Sequence, residues 1–187
     1  ARWQQSGCPL PPPHAVKQQT LLAYARRFPC RAFVESGTFM GDMVAAMRPY
    51  FDHLYSIELD EQLYRKAALR FSRFRKVHLI HGDSIREMEP IVRSLDQPAL
   101  FWLDGHFSGG MTAKGNKLTP VEEELQAILG SRVKGHVIII DDARYFKAGT
   151  GYPTLEAIAA LVRAIRPESR LEVETDMIRI SPATSPS

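Results

Sequence analysis

Short apolar runs alternate along the chain with longer segments of helical period. Five of these runs are apolar at nearly every position, which is typical of strands buried on both faces of a sheet. They are residues 32–35, 53–58, 77–81, 99–104 and 136–141. Helical spacing is found in residues 14–28, 41–50, 60–71, 84–95, 120–129 and 154–165. Two last strand-like runs, 170–174 and 177–180, flank a Thr-Asp turn and predict a hairpin.

This alternation predicts an α/β fold: a doubly wound, Rossmann-like, mostly parallel seven-stranded sheet with an antiparallel C-terminal hairpin and helices on both faces. Residues 14–181 are expected to form a single domain, because 187 residues are too few for two well-developed domains. Residues 1–13 end in a proline-rich stretch and predict an extended arm. Later in the chain, Thr119 as N-cap and Pro120 at the first helical position predict the start of the helix over residues 120–129. Residues 182–187 predict a flexible tail.

Composition and charge set broad limits on function. The chain is 44% hydrophobic and 24% charged, and no apolar run reaches the ~20 residues of a membrane span, so no membrane partner is expected. We expect a cytoplasmic location, because the first residues lack the zones of a secretory signal and Cys8 and Cys30 are expected to stay reduced. The net charge of +3 is spread along the chain, which does not identify a nucleic-acid binder.

Acidic residues occur where the five predicted parallel strands end. They are Glu35, Glu58, Asp83, Asp104 and the pair Asp141 and Asp142. Asp83 precedes a helix and could equally be its cap, which the pattern leaves open. Ligands bind such sheets outside the carboxyl ends of the strands, and carboxylates buried together are costly unless a ligand or cation compensates them. The acids therefore predict a donor-rich ligand or a metal ion at this edge.

The loop after the first strand reads Glu35-Ser-Gly37-Thr-Phe-Met-Gly41. Gly37 can adopt backbone angles closed to other residues, and Gly41 is expected to allow a ligand to approach the backbone. The loop lacks the Gly-x-Gly-x-x-Gly pattern of dinucleotide sites, which disfavours a dehydrogenase. Glu58 follows Glu35 by 23 positions, where an acid can bind the hydroxyls of a ribose.

With these residues the sequence resembles the class I S-adenosylmethionine-dependent methyltransferases over approximately residues 33–180. The resemblance implies that the glycine loop lies against the cofactor, that Glu58 holds the ribose hydroxyls and that Asp83 and Ser84 lie beside the adenine. The full set of cofactor residues that it implies is Glu35, Gly37, Thr38, Gly41, Glu58, Asp83, Ser84 and Asp104.

Asp104, Asp141 and Asp142 form a second group, at the ends of two strands expected to be neighbours. Carboxylate oxygens suit Mg²⁺, which also accepts water or substrate oxygens. The group resembles that of the metal-dependent O-methyltransferases of the catechol and macrolide-sugar types. The resemblance implies that all three aspartates bind Mg²⁺ and that the substrate is a small hydroxylated molecule, such as a sugar or a secondary metabolite.

The remaining candidate residues concern catalysis and substrate. Asp104 and His106 are the candidate catalytic residues. His106, two residues after Asp104, is the candidate general base, although it could instead be an exposed loop residue or only orient Asp104. The lysine base of the catechol enzymes has no clear equivalent after Asp104. Lys114 and Lys117 lie in a long loop and could bind an anionic substrate group or be merely solvated. Arg144 and Tyr145 follow the paired aspartates and could touch the substrate, although Tyr145 could equally pack in the core.

Two other functions remain open. A nucleic-acid methyltransferase of the same fold would suit the basic isoelectric point near 9.0, but no aromatic and basic patch supports it. A non-catalytic domain that binds the cofactor or a protein partner is disfavoured by the retention of all three candidate metal ligands. The sequence also leaves open whether the chain forms a homodimer.

Overall fold

The computed structural model describes residues 2–104 and 119–183, and seven strands in these residues form one sheet. The strands are β1 (Ala32–Ser36), β2 (His53–Glu58), β3 (Val77–His81), β4 (Ala99–Leu103), β5 (Val137–Ile140), β6 (Ser169–Glu174) and β7 (Met177–Pro182). The helices are α1 (Arg2–Gln5), α2 (His14–Arg27), α3 (Asp42–Met47), α4 (Glu61–Phe71), α5 (Ser84–Ser94), α6 (Val121–Leu129) and α7 (Leu155–Ile165). Short 3-10 turns, Arg48–Tyr50 and Ala143–Tyr145, follow α3 and β5.

The sheet has the strand order β3-β2-β1-β4-β5-β7-β6. Strands β1 to β5 pair in parallel, whereas β7 pairs antiparallel with both β5 and β6. The predicted fold class, with its C-terminal hairpin, is therefore confirmed. The chain runs outward from β1 in one direction and from β4 in the other, so the carboxyl ends of these two neighbouring strands form the switch point at which such sheets bind ligands.

Alternate residues of the central strands enter two separate cores. Val34 and Phe101 pack with residues of α5, α6 and α7 on one face. Phe33 and Leu100 pack with residues of α2, α3 and α4 on the other. Burial on both faces explains why these strands appear in the sequence as continuous apolar runs rather than as an alternating pattern.

The structure shifts several predicted boundaries by one residue. Strand β1 continues to Ser36, whereas β4 and β5 end before Asp104 and Asp141, which begin the loops. Helix α6 begins at Val121 rather than Pro120, and the Thr119 hydroxyl accepts a hydrogen bond from the Val121 amide at 3.4 Å. These shifts matter because they decide which acids lie within the sheet and which lie at its edge.

The predicted extended arm contains a helical turn, α1. The prolines that exclude a helix begin only at Pro9, so the preceding residues are free to form one. The Trp3 indole donates a hydrogen bond to the Pro9 carbonyl at 2.8 Å, which folds the segment back on itself. Across the described ranges, every helix is too short or too polar to cross a membrane.

Gly41 provides a test of the turn that leads from β1 into α3. Its φ is 77°, and an added Cβ would lie 2.6 Å from Phe71 Cε2. We expect Gly41→Ala to lower the free energy of unfolding by about 2–3 kcal/mol, because the cost of a left-handed backbone at alanine and the cost of overpacking against Phe71 add up. Gly149 is the matched control, because its φ is 82° and nothing lies within 4 Å of an added Cβ. Urea denaturation should give a smaller loss of about 1 kcal/mol for Gly149→Ala; equal losses would contradict the packing argument.

Candidate active site

A cleft of about 490 Å³ opens at the carboxyl ends of β1, β2 and β4. This volume lies within the usual range for small-molecule sites. Six of the eight predicted cofactor residues line the cleft: Gly37, Thr38, Glu58, Asp83, Ser84 and Asp104. His14, Asp42 and Trp102 also line the cleft, although no local pattern in the sequence marks them as site residues.

The loop after β1 is held in place by its neighbours on both sides. The amides of Gly37 and Thr38 donate hydrogen bonds to the Ile57 carbonyl of β2, at 2.9 and 3.2 Å. Gly37 has a φ of 89°, and an added Cβ would touch Asp104 Cβ at 3.6 Å. The loop therefore lies between the ends of β2 and β4, in contact with the acid that follows β4.

Glu58 has a fixed carboxylate at the end of β2. Its two oxygens accept hydrogen bonds from the backbone amides of Phe39 at 2.8 Å and Asp60 at 2.9 Å, and the residue is only 6% exposed. An ionised carboxylate can accept about four hydrogen bonds, so acceptor capacity remains for a ligand in the cleft. This geometry suits a partner that brings hydroxyl donors.

Asp83 is a helix cap that also lies in the wall of the cleft. It caps α5, since its side chain accepts a hydrogen bond from the Ile85 amide at 3.0 Å, and it also lines the cleft. Ser84 lines the cleft beside it.

Two predicted cofactor residues, Glu35 and Gly41, do not line the cleft. Glu35 lies one residue before the end of β1 and is 1% exposed. The Ser56 hydroxyl donates to Glu35 Oε1 at 2.6 Å and lies 2.5 Å from the Thr38 hydroxyl, so Glu35 supports the loop from within the sheet. A Cβ added at Gly41 would point at the Phe71 ring.

Burial dominates the electrostatics of Glu35. Desolvation raises its pKa to about 8, the Ser56 hydrogen bond opposes this rise, and the negative charges of Asp104 and Glu58 add to it. A carboxyl group with this pKa keeps its proton at neutral pH, which avoids adding a further negative charge beside the cleft.

Glu124 of α6 is a second buried carboxyl group that the sequence did not point to, because it reads as part of a Glu-Glu-Glu helical surface. It is 1% exposed, and within residues 2–104 and 119–183 neither of its oxygens has a hydrogen-bond partner of good geometry. Desolvation raises its pKa to about 7, and the nearby hydroxyls of Ser84 and Ser36 oppose the rise. Both serines line the cleft, so Glu124 lies directly behind its wall.

The three predicted metal ligands come together. Asp104, Asp141 and Asp142 each place a carboxylate oxygen within 4.8 Å of the others. Asp141 and Asp142 are buried, and Asp104 is partly exposed where it lines the cleft. Three hard oxygen ligands next to an open cleft fit the coordination that Mg²⁺ prefers, with positions left for water or a substrate oxygen.

Two cationic side chains of the described residues also contact this acidic cluster. Lys17 of α2 forms an ion pair with Asp141, and Arg144 donates to Asp142 at 2.6 Å and also pairs with Asp176 of the β6–β7 turn. Desolvation raises the pKa of Asp141 to about 6, which Lys17 opposes and the neighbouring aspartates reinforce. Lys17 is 124 residues from Asp141 in sequence, so no local pattern could reveal the pair.

Of the residues predicted to touch the substrate or act as the base, Arg144 and Tyr145 lie within the described ranges. Arg144 lies 4.5 Å above the ring of Tyr145 and is anchored to acids, so its described contacts position Asp142. The Tyr145 ring packs 5.6 Å from that of Tyr152. His106, Lys114 and Lys117 lie outside the described residues.

The buried carboxyl groups give the stability of the protein a pH dependence. The folded state raises the pKa of Glu35 and Glu124 from about 4.5 to about 8 and about 7, so it holds their protons more tightly than the unfolded state does. This stabilisation is fully present below about pH 4.5 and is lost as the pH rises through these values. We expect the free energy of unfolding to fall by a few kcal/mol between about pH 5 and pH 8. Glu35→Gln should flatten the slope in urea denaturation, whereas the exposed control Glu61→Gln should keep it; an unchanged slope in Glu35→Gln would refute this origin.

No protein-family model matches the sequence, and no curated protein matches it. Solved structures do share its fold. A "putative caffeoyl-CoA O-methyltransferase" from Staphylococcus aureus has a TM-score of 0.64 at 12% identity, covering 97% of this chain and 88% of that one. The SAH-bound methyltransferase PaMTH1 of Podospora anserina has a TM-score of 0.63 at 12% identity, covering 97% and 86%. An rRNA methylase from Streptococcus thermophilus has a TM-score of 0.56 at 15% identity, covering 94% and 99%. The chain therefore has the Rossmann-like fold of these methyltransferases.

Proposed function

We propose that the chain is an S-adenosylmethionine-dependent methyltransferase that methylates a hydroxyl oxygen of a small molecule with the assistance of Mg²⁺. One observation carries the proposal: Asp104 belongs both to the cleft lined by Glu58 and Asp83 and to the acidic cluster of Asp141 and Asp142. The proposed nucleoside site and the proposed cation site therefore adjoin, which is what transfer from a bound cofactor to a coordinated acceptor requires.

The cleft supports the cofactor half of the proposal. Glu58 offers acceptors to the ribose hydroxyls, and Asp83 and Ser84 line the part of the wall where the family resemblance implies the adenine. The PaMTH1 structure has the same fold and is described as SAH-bound. Gly37 and Thr38 would lie against the methionine part of the cofactor.

The acidic cluster supports the acceptor half. Asp104, Asp141 and Asp142 would hold Mg²⁺, which when bound lowers the pKa of a coordinated hydroxyl. Arg144, anchored by Asp176, holds Asp142 in position. In the reaction the acceptor oxygen forms a bond to the methyl carbon, the bond from that carbon to sulfur breaks, and S-adenosylhomocysteine leaves. His106 remains the candidate base for the proton that the hydroxyl releases.

A change at Glu58 tests the cofactor site. We expect Glu58→Gln to weaken S-adenosylhomocysteine binding at least tenfold, because hydrogen bonds to a charged group contribute about 1.5–3 kcal/mol. Isothermal titration calorimetry measures the affinity, and circular dichroism checks the fold. Glu61→Gln is the matched control, because Glu61 is exposed on α4 and should leave binding unchanged. If the wild type binds neither S-adenosylmethionine nor S-adenosylhomocysteine, the proposed function fails.

A change at Asp142 tests the metal site. We expect Asp142→Asn to weaken Mn²⁺ binding at least tenfold, because one of three anionic ligands is lost. Electron paramagnetic resonance measures the Mn²⁺ affinity. Asp52→Asn is the control, because Asp52 is exposed and pairs with Arg31 away from the cluster. Mn²⁺ binding of equal strength in wild type and Asp142→Asn would exclude this cluster as the metal site.

RNA is the second candidate acceptor, because an rRNA methylase shares the fold and the isoelectric point is near 9.0. Transfer of labelled methyl groups to catechols and sugars on one side, and to RNA on the other, separates the two acceptors. Methylation of RNA alone, with binding that weakens steeply as salt rises, would replace the small-molecule substrate in the proposal.

A further inference from the structure

Helix α2 brings a lysine into the acidic cluster from a distant part of the chain. Lys17 Nζ contacts Asp141 Oδ2, and the Lys17 side chain is only 15% exposed. The same ammonium lies 6.0 Å from the centroid of the Trp102 ring, which lines the cleft. Three residues earlier on α2, His14 lines the cleft as well. The first turn of α2 therefore contributes to both halves of the site.

The Lys17 ammonium and a metal ion need the same carboxylate oxygens. Asp141 Oδ2 is bound to Lys17, while Asp141 Oδ1 accepts a hydrogen bond from the Asp142 amide at 2.9 Å. Both oxygens of Asp141 are thus engaged within the protein. A metal ion coordinated through Oδ2 would lie beside the Lys17 ammonium, and the repulsion between two cations at this distance would drive the ammonium away.

Lys17 and Arg144 differ in how firmly they are held at the cluster. Arg144 is fixed by two carboxylates, since it pairs with Asp142 and Asp176, and its backbone amide also donates to Asp176 at 2.9 Å. Asp141 is the carboxylate to which Lys17 is joined in the described residues. A lysine is a point charge on a flexible four-carbon stem, so it can withdraw without disturbing the backbone. Lys17 is therefore the cation that can exchange.

We propose that Lys17 is a resident cation of this site that a divalent metal ion displaces from Asp141. The inference rests on the proposed function in that the acidic cluster holds a metal. Without metal, the ammonium offsets the repulsion among the three aspartates and keeps the site folded. With metal, the lysine moves off Asp141 and metal binding is weakened by the work of displacing it. Lys17 thus sets the metal affinity.

Lys17→Met tests the inference because its two expected effects have opposite sign. Mn²⁺ affinity, measured by electron paramagnetic resonance, should rise about tenfold, because the competing ammonium is removed. A tenfold change in affinity corresponds to about 1.4 kcal/mol of binding free energy. The melting temperature without metal should fall, because the aspartates lose their counter-charge, and Mn²⁺ should restore it by a larger increment than in the wild type. Lys66→Met, at an exposed position of α4, is the matched control and should change neither quantity. Lys17→Arg, which keeps the charge, should keep the weaker affinity of the wild type.

The alternative outcomes separate the inference from the proposed function. If Lys17 only fastens α2 to the sheet, Lys17→Met will lower the melting temperature equally with and without Mn²⁺ and leave the Mn²⁺ affinity unchanged, which overturns the inference while the metal site stands. If neither protein binds Mn²⁺ but both bind S-adenosylhomocysteine, the metal part of the proposed function fails and Lys17 is the permanent cation of the cluster. If the wild type does not bind S-adenosylhomocysteine, the proposed cofactor site is refuted instead.

Discussion

The cost of burying several carboxyl groups at one edge of the sheet is the constraint on which the site depends. Each acid is accommodated differently. Glu58 accepts two backbone hydrogen bonds, Asp141 pairs with a lysine, Asp142 pairs with an arginine, and Glu35 keeps its proton at neutral pH. Desolvation would exclude this concentration of charge without such compensation. Elements from α2 to the β6–β7 turn bring the compensating groups to this edge.

The fold could be predicted because its strands are buried on both faces. Parallel sheets covered by helices produce continuous apolar runs, and the helices between them keep their own period, so both kinds of element were recognisable. The strand boundaries were predicted less accurately, because an apolar run does not show at which residue the pairing between strands stops. Ser36 extends β1 by pairing with Ile57 and Leu103, although neither its size nor its polarity suggests a strand.

The site could be predicted only where it follows the strand ends. That rule brought Asp104, Asp141 and Asp142 together, but it treated Glu35 like Glu58, although a shift of one residue places Glu35 inside the sheet. The contributions of Lys17 and Glu124 come from helices that meet the edge only after the chain has folded, so they are set by tertiary packing. A lysine on a polar helix and an acid in an acidic run have no local feature that marks them.

The turn between β6 and β7 shows that the antiparallel hairpin does more than complete the sheet. Thr175 and Asp176 both have positive φ, at 55° and 59°, a conformation that turns of this kind usually fill with asparagine and glycine. The backbone carbonyl of Asp176 accepts a hydrogen bond from the Ala143 amide, and its carboxylate accepts one from the Arg144 amide. This strained turn therefore anchors the segment that follows β5. The hairpin therefore supplies the residue that fixes Arg144 and, through it, Asp142 of the acidic cluster. Without the paired hairpin, Arg144 would lose the second of its two carboxylate partners, that of Asp176.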